Sequence, residues 1–221
     1  MSTPTPVLRA DAARNRTRLV DAARCVFRER GLDAPLDDIA RRAGLGNATL
    51  YRHFPSRCSV VAAVFAETMR EVVAASEAAL AAPDPWAGFA GHVRALCAMQ
   101  ASDRAVADLL TATIGGAPEL EGLRARAYAG LVALIDRAQR AGELRSDFRH
   151  EDVVLLLMAN AGLLERTATA APDAWRRHLD YLLDGLRPTS SPARPGPGTE
   201  AVLGAMDAAA ARFGCGPSAT A

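Results

Sequence analysis

LDDIARRAGLGNATLYRHFPSR, residues 36–57, carries two short apolar repeats joined by a glycine turn. Leu36, Ile39, Ala40 and Ala43 recur at i, i+3, i+4 and i+7, which is one face of a helix. Gly44 follows, where a left-handed residue ending a helix costs least. Leu50 and Phe54 resume the pattern four residues apart. Pro55 then stops it, because it has no N–H to donate and biases Phe54 away from helical geometry. Helices this short are not stable alone. They need a third to pack on, and they leave one face over. Helix, turn and second helix is the plan of a helix-turn-helix, whose second member enters the DNA major groove.

The third helix stands just upstream. Leu19, Ala22, Ala23, Val26 and Phe27 form a full apolar stripe within 15–30, and Gly31 ends it. Pro35 is well placed at a helix start, and Asp37 and Asp38 sit in the first turn, where negative charge offsets the helix dipole. Residues 1–13 show no periodicity and are expected to form a mobile arm. The DNA-binding unit is therefore drawn as 14–57.

Beyond it the chain reads as helix after helix. A long one runs over about 56–82, and Asp84 and Pro85 begin the next as cap and first residue. Further helices are expected at about 103–113 and 119–140. The segment 153–164, VVLLLMANAGLL, is apolar nearly all round and must be covered on more than one side. A second copy of the chain is the expected second cover. With 173–186 it would form a four-helix interface about a two-fold axis. The expected interface residues are Val153, Leu157, Asn160, Leu164, Trp175, Leu179, Leu182, Leu183 and Leu186. Residues 58–187 thus form a dimerisation and ligand-binding unit. Residues 188–221 are a Pro/Gly-rich linker and a weakly helical tail. The fold class is all-α, with about nine helices.

Charge agrees with this division. The net charge of the 221 residues is +1. Through Arg57 there are eleven basic residues against six acidic ones, leaving fifteen against nineteen in the remainder. A basic end beside an acidic body suits a polyanion at one end only. The four cysteines, Cys25, Cys58, Cys97 and Cys215, form no CxxC pair and read as reduced cytosolic thiols. No apolar run reaches the roughly 18 residues of a membrane span, and MSTPTPVLRAD lacks the apolar core of a signal peptide. A cytoplasmic protein is expected.

RTRLVDAARCVFRERG (16–31) together with 36–57 and the long helix after it resembles the tetracycline-repressor-like (TetR) family of bacterial transcriptional regulators. TLYRHFPSR is the most characteristic piece. The resemblance implies a homodimer, an N-terminal DNA-binding domain and a divergent helical domain that binds a small-molecule inducer; most members repress. It matches Thr49 to a base and backbone contact, and Asn47 and Ala48 to positions facing the groove. It matches Tyr51 and His53 to phosphate contacts and Arg57 to a phosphate anchor. Arg52 lies on the same helix and is placed to meet a guanine, for which Arg is the commonest bidentate partner. Arg16 and Arg18 are expected to neutralise backbone phosphate. The family's Ser or Thr before the second helix is replaced here by Ala34 and Pro35, and Gly46 stands where the recognition helix often opens on Ser, so Asn47 is a candidate replacement cap.

Helical ligand pockets are lined by apolar side chains with few polar anchors. Trp86, Phe89, His92, Met99, Gln100, Tyr128 and Asn160 are the candidates. Asn160 draws attention because an amide inside an apolar helix needs a partner, which could be a ligand or equally Asn160 of a second copy. His92, His150 and His178 share no metal-ligand spacing, and no phosphate-binding glycine loop or nucleophile elbow is present, so no cofactor is expected. The sequence thus points to a dimeric regulator, probed by double-stranded operator DNA and a small-molecule inducer. Three readings stay open beside a repressor: an activator or inducer-independent regulator, an all-α small-molecule binder or enzyme, and an interaction module working through 188–221.

Overall fold

The computed structural model describes residues 6–190 and 194–215. Ten helices follow one another: α1 (Pro6–Arg30), α2 (Leu36–Arg42), α3 (Asn47–His53), α4 (Arg57–Ala81), α5 (Pro85–Ser102), α6 (Arg104–Thr111), α7 (Pro118–Arg140), α8 (His150–Thr167), α9 (Ala174–Gly185) and α10 (Thr199–Arg212). No strand occurs among the described residues. The all-α expectation holds with one helix more than the count of about nine. The arm is a correction: α1 begins at Pro6, so residues 6–13 are helical and only 1–5 fall outside the described residues. Proline at the first helical position loses no bond there, which is why the helix can start on it.

α1, α2 and α3 make a small head. Leu19, Ala23, Val26 and Phe27 are buried with Ile39, Ala40, Leu50 and Phe54. Phe27 stacks on Phe65 of α4 with ring centroids 6.2 Å apart, so the head's core runs straight into the fourth helix. In the body, α4 lies along α7 and against α5, while α8 packs on α5, α6 and α9. The α4–α7 approach is close: a Cβ at Gly130 would stand 2.9 Å from Ser76 Cβ, closer than real carbons approach.

Head and body are also joined at Leu32. Gly31 ends α1 with φ 84°, a conformation glycine adopts without penalty, and turns the chain toward α6. The N–H of Leu32 donates to Asp108 Oδ2 on α6 at 3.0 Å. Arg57, the first residue of α4, donates through Nη1 to Leu32 O at 2.8 Å and to Ala34 O at 2.6 Å. Burial pushes the Asp108 carboxyl up; the Leu32 N–H and Arg104 pull the other way.

The tail is no appendage. α10 packs on α6 and α8. Val202, Met206, Ala210, Phe213 and Cys215 are buried. The Thr113 N–H donates to Met206 O at 3.3 Å, the Gly115 N–H to Cys215 O at 3.1 Å, and the Thr199 hydroxyl bonds Glu151. Burying a Phe or Met side chain stabilises by roughly 1.5–3 kcal/mol, and ordering the segment offsets much of that. Ending the chain at residue 190 should therefore cost about 1–2 kcal/mol and lower the melting temperature by roughly 5 °C in calorimetry. An unchanged melting temperature would make the docking of α10 energetically idle.

Candidate nucleic-acid interface and interior cavities

Gly44, with φ 62°, sets the turn between α2 and α3, and Gly46 is the extended N-cap of α3 with no side-chain cap bond. Leu50 and Phe54 face inward, as their spacing requires. Asn47, Ala48, Tyr51 and Arg52 are exposed, and Tyr51 keeps half its surface open. Thr49 and His53 are half-buried, and His53 Nε2 is enclosed without a partner. Asn47 is not the cap of α3; its Nδ2 donates to Asp37 Oδ1 at 2.9 Å and ties α3 to α2.

Three of the basic candidates hold the head together. Arg57 grips the Leu32–Ala34 turn, Arg18 Nη2 donates to Ala43 O at 2.6 Å, and the Arg16 guanidinium lies 5.2 Å from the Phe54 ring centroid. Arg16 and Arg18 are still exposed, whereas Arg57 is half-buried. Arg42 is bidentate to Glu29 at 2.7 Å, and Arg41 pairs with Asp38, so α2 carries a solvated, paired face. The outward surface of α3 therefore consists of Asn47, Ala48, Tyr51 and Arg52, with Thr49 at its edge.

The body contains a cavity of about 450 Å³ among α4, α5, α7, α8 and α10. Met69, Val72, Leu96, Leu131, Leu157, Val202 and Met206 make it apolar; His92, Thr113, Arg124, Tyr128, His150 and Glu151 are its polar edges. A second cleft of about 680 Å³ lies between α6, α8 and α10, with Gln100, Asp108, Glu165 and Phe213 on its wall. Of the seven expected ligand residues, His92 and Tyr128 line the first space and Gln100 the second. The others do not. Phe89 is fully buried core, edge-on to Phe148 at 5.6 Å, and Trp86 lies under the Arg187 guanidinium at 4.0 Å. Met99 packs half-buried on the core. Asn160 Nδ2 donates to Gln100 Oε1 at 2.8 Å within the same chain, which replaces the expected bond to a second copy.

The polar edges carry distinct electrostatics. Burial lowers the His92 pKa to about 4, so the ring is neutral near pH 7. Burial also lowers the Arg124 pKa; its Nη1 donates to Leu109 O at 2.8 Å and Nη2 to Ala112 O at 2.7 Å, at the end of α6. Burial pushes the Glu151 carboxyl up, but the Thr199 hydroxyl, a backbone N–H, His150 and Arg149 outweigh it and hold it below the usual range. Tyr128 Oη lies 3.1 Å from His150 Nε2. Arg124 went unnoticed in the sequence, although the signal was there: Leu120, Leu123, Ala127 and Leu131 place it inside an apolar stripe.

Six of the nine expected interface residues are covered by their own chain. Val153, Leu157, Asn160, Trp175, Leu179 and Leu183 are buried within one protomer, and Leu164, Leu182 and Leu186 are half-buried against that core. They serve the inward side of α8 and α9. The large apolar side chains left in solvent there are Leu155 and Tyr181. Among the described residues no group of His, Cys, Asp and Glu is arranged to hold a metal, and no helix is long and apolar enough to cross a membrane.

Residues 19–64 match the family model for bacterial regulatory proteins of the tetR family, and residues 84–188 match that for the C-terminal domain of SbtR-like transcriptional regulators. A TetR transcriptional regulator from Streptomyces coelicolor is 35% identical, with 79% of this chain and 99% of that one covered and a TM-score of 0.52. The chain belongs to the TetR family. This TetR-family protein is thus a DNA-binding transcriptional regulator, with a fold and lineage of regulators rather than enzymes. The HTH-type transcriptional regulator TtgW of Pseudomonas putida is 45% identical over 58 residues, which are 26% of this chain; the chain spans 43% of that protein's length. FadR of Bacillus subtilis, solved in complex with stearoyl-CoA, shares the fold at 15% identity and a TM-score of 0.57, with 76% of this chain and 96% of that one covered.

Proposed function

We propose that this regulator is a homodimeric repressor that sits on a palindromic operator and leaves it when a small molecule fills the 450 Å³ cavity. The observation that carries the reading is the exposed outer face of α3, with Tyr51 and Arg52 in solvent, on a head clamped to the body at Leu32. α8 and α9 would pair across a two-fold axis through the side bearing Leu155 and Tyr181. Two α3 helices would then enter major grooves about one helical turn apart, or somewhat more. FadR's stearoyl-CoA complex is a case of a small molecule held on this fold. A ligand in the cavity touches α4 through Met69 and Val72 and α6 through Leu110, with Arg124 bonded to the end of α6, and both helices hold the backbone of Leu32. It must prefer the conformer that fits DNA poorly, and operator must oppose ligand by the same factor.

A gel shift with the DNA upstream of the protein's own gene, at two salt concentrations, tests the reading. Specific retardation that survives the higher salt supports it; equal retardation of random DNA removes it. Thr49→Ala should weaken operator binding by about 1–3 kcal/mol while sparing random DNA. Equal losses on both would exclude Thr49 as a reader.

A further inference from the structure

We infer that the 450 Å³ cavity takes an apolar carboxylate, an aromatic or aliphatic acid whose charge is met by Arg124. The inference rests on the reading of this cavity as the effector site. Three observations carry it. Arg124 projects from the apolar stripe of α7 onto a wall that is otherwise mostly aliphatic. Its guanidinium has five N–H donors, and bonds to Leu109 O and Ala112 O engage two of them. Its partners at the end of α6 are carbonyls, and no charged neighbour perturbs it. A half-buried cation whose bonds go to the carbonyls at a helix terminus is stabilised when an anion arrives.

The other polar groups agree. Glu151, the acid on the wall, is already bonded by Thr199 and flanked by Arg149 and His150. His92 is buried with Nδ1 unpartnered, and Thr113 Oγ1 is enclosed without a partner. These two accept or donate a further hydrogen bond to a substituent on the acid. The rival explanation is that Arg124 only caps α6 and the cavity prefers neutral molecules.

Three probes of one shape separate these: 2-naphthoate, 2-naphthamide and 2-naphthylmethylammonium, each titrated calorimetrically into the full-length protein. The naphthoate is expected to bind at least tenfold more tightly than the amide, and the ammonium at least tenfold more weakly than the amide. Arg124→Met should bring naphthoate down to the affinity of the amide, and Arg124→Lys should restore part of the preference. If Arg124→Met does not fold, the series on the unaltered protein decides alone. An amide equal to or better than the acid, a preference for the ammonium, or no binding of any probe at millimolar concentration overturns the inference. Naphthoate that binds with the stated preference yet leaves the gel shift unchanged overturns the repressor reading and leaves this one standing.

Discussion

Arg57→Ala is expected to destabilise the protein by about 3 kcal/mol. Its guanidinium makes two charge-assisted bonds to the Leu32 and Ala34 carbonyls, at 2.8 and 2.6 Å, and bonds to charged groups contribute roughly 1.5–3 kcal/mol each without adding fully. For a chain of this length the melting temperature should fall by roughly 6–12 °C. Hydrogen exchange at residues 32–34 should accelerate more than at the centre of α7, because the loss is local. The resemblance also assigns Arg57 to phosphate, which predicts a salt slope of DNA binding flatter by about one. The two roles separate cleanly. Lost stability with an unchanged slope makes Arg57 a tie between α4 and the head; a flattened slope with unchanged stability makes it a DNA contact.

Acid should unfold the protein partly through His92. The folded ring has a pKa of about 4, against 6.5 for the free side chain, because burial disfavours the charged form. Between those two values the unfolded chain binds a proton that the native state does not. Stability from this group is therefore complete above pH 6.5 and is lost as pH falls toward 4. The shift corresponds to about 3 kcal/mol. His92→Phe should remove this component, so between pH 7 and 4.5 the unfolding free energy from urea titrations should fall by about 2–3 kcal/mol more for the unaltered protein than for the variant. Parallel pH profiles for both proteins would show that His92 is not held neutral by its surroundings.

The head was legible because the apolar stripes of its three helices face one another. Leu19 to Phe27, Leu36 to Ala43, and Leu50 with Phe54 all face a single small core, so spacing alone places them. The body was legible as helices but less so as surfaces. An apolar stripe says that a face is covered without saying by what, and Leu157, Trp175 and Leu183 are covered by their own chain. The arm misled because PVLRADAARNR has no stripe, yet α1 extends through it. The tail read as weakly helical because it is rich in alanine and its pattern is faint; its docking rests on Val202, Met206, Ala210 and Phe213. Of the cavity, His92 and Tyr128 were found by their polarity amid apolar neighbours. Arg124 obeys the same rule, standing among Leu120, Leu123, Ala127 and Leu131.

The bond pair at Leu32 has a kinematic corollary. One residue is held by α6 through the amide before its Cα and by α4 through the amide after it. If both helices travel together, the head rides along and the relative orientation of head and body stays as it was. A shear of one past the other loads the joint, so under the proposed ligand response a bound molecule would reach α3 as a difference between two displacements, and a uniform swelling of the cavity would go unread there.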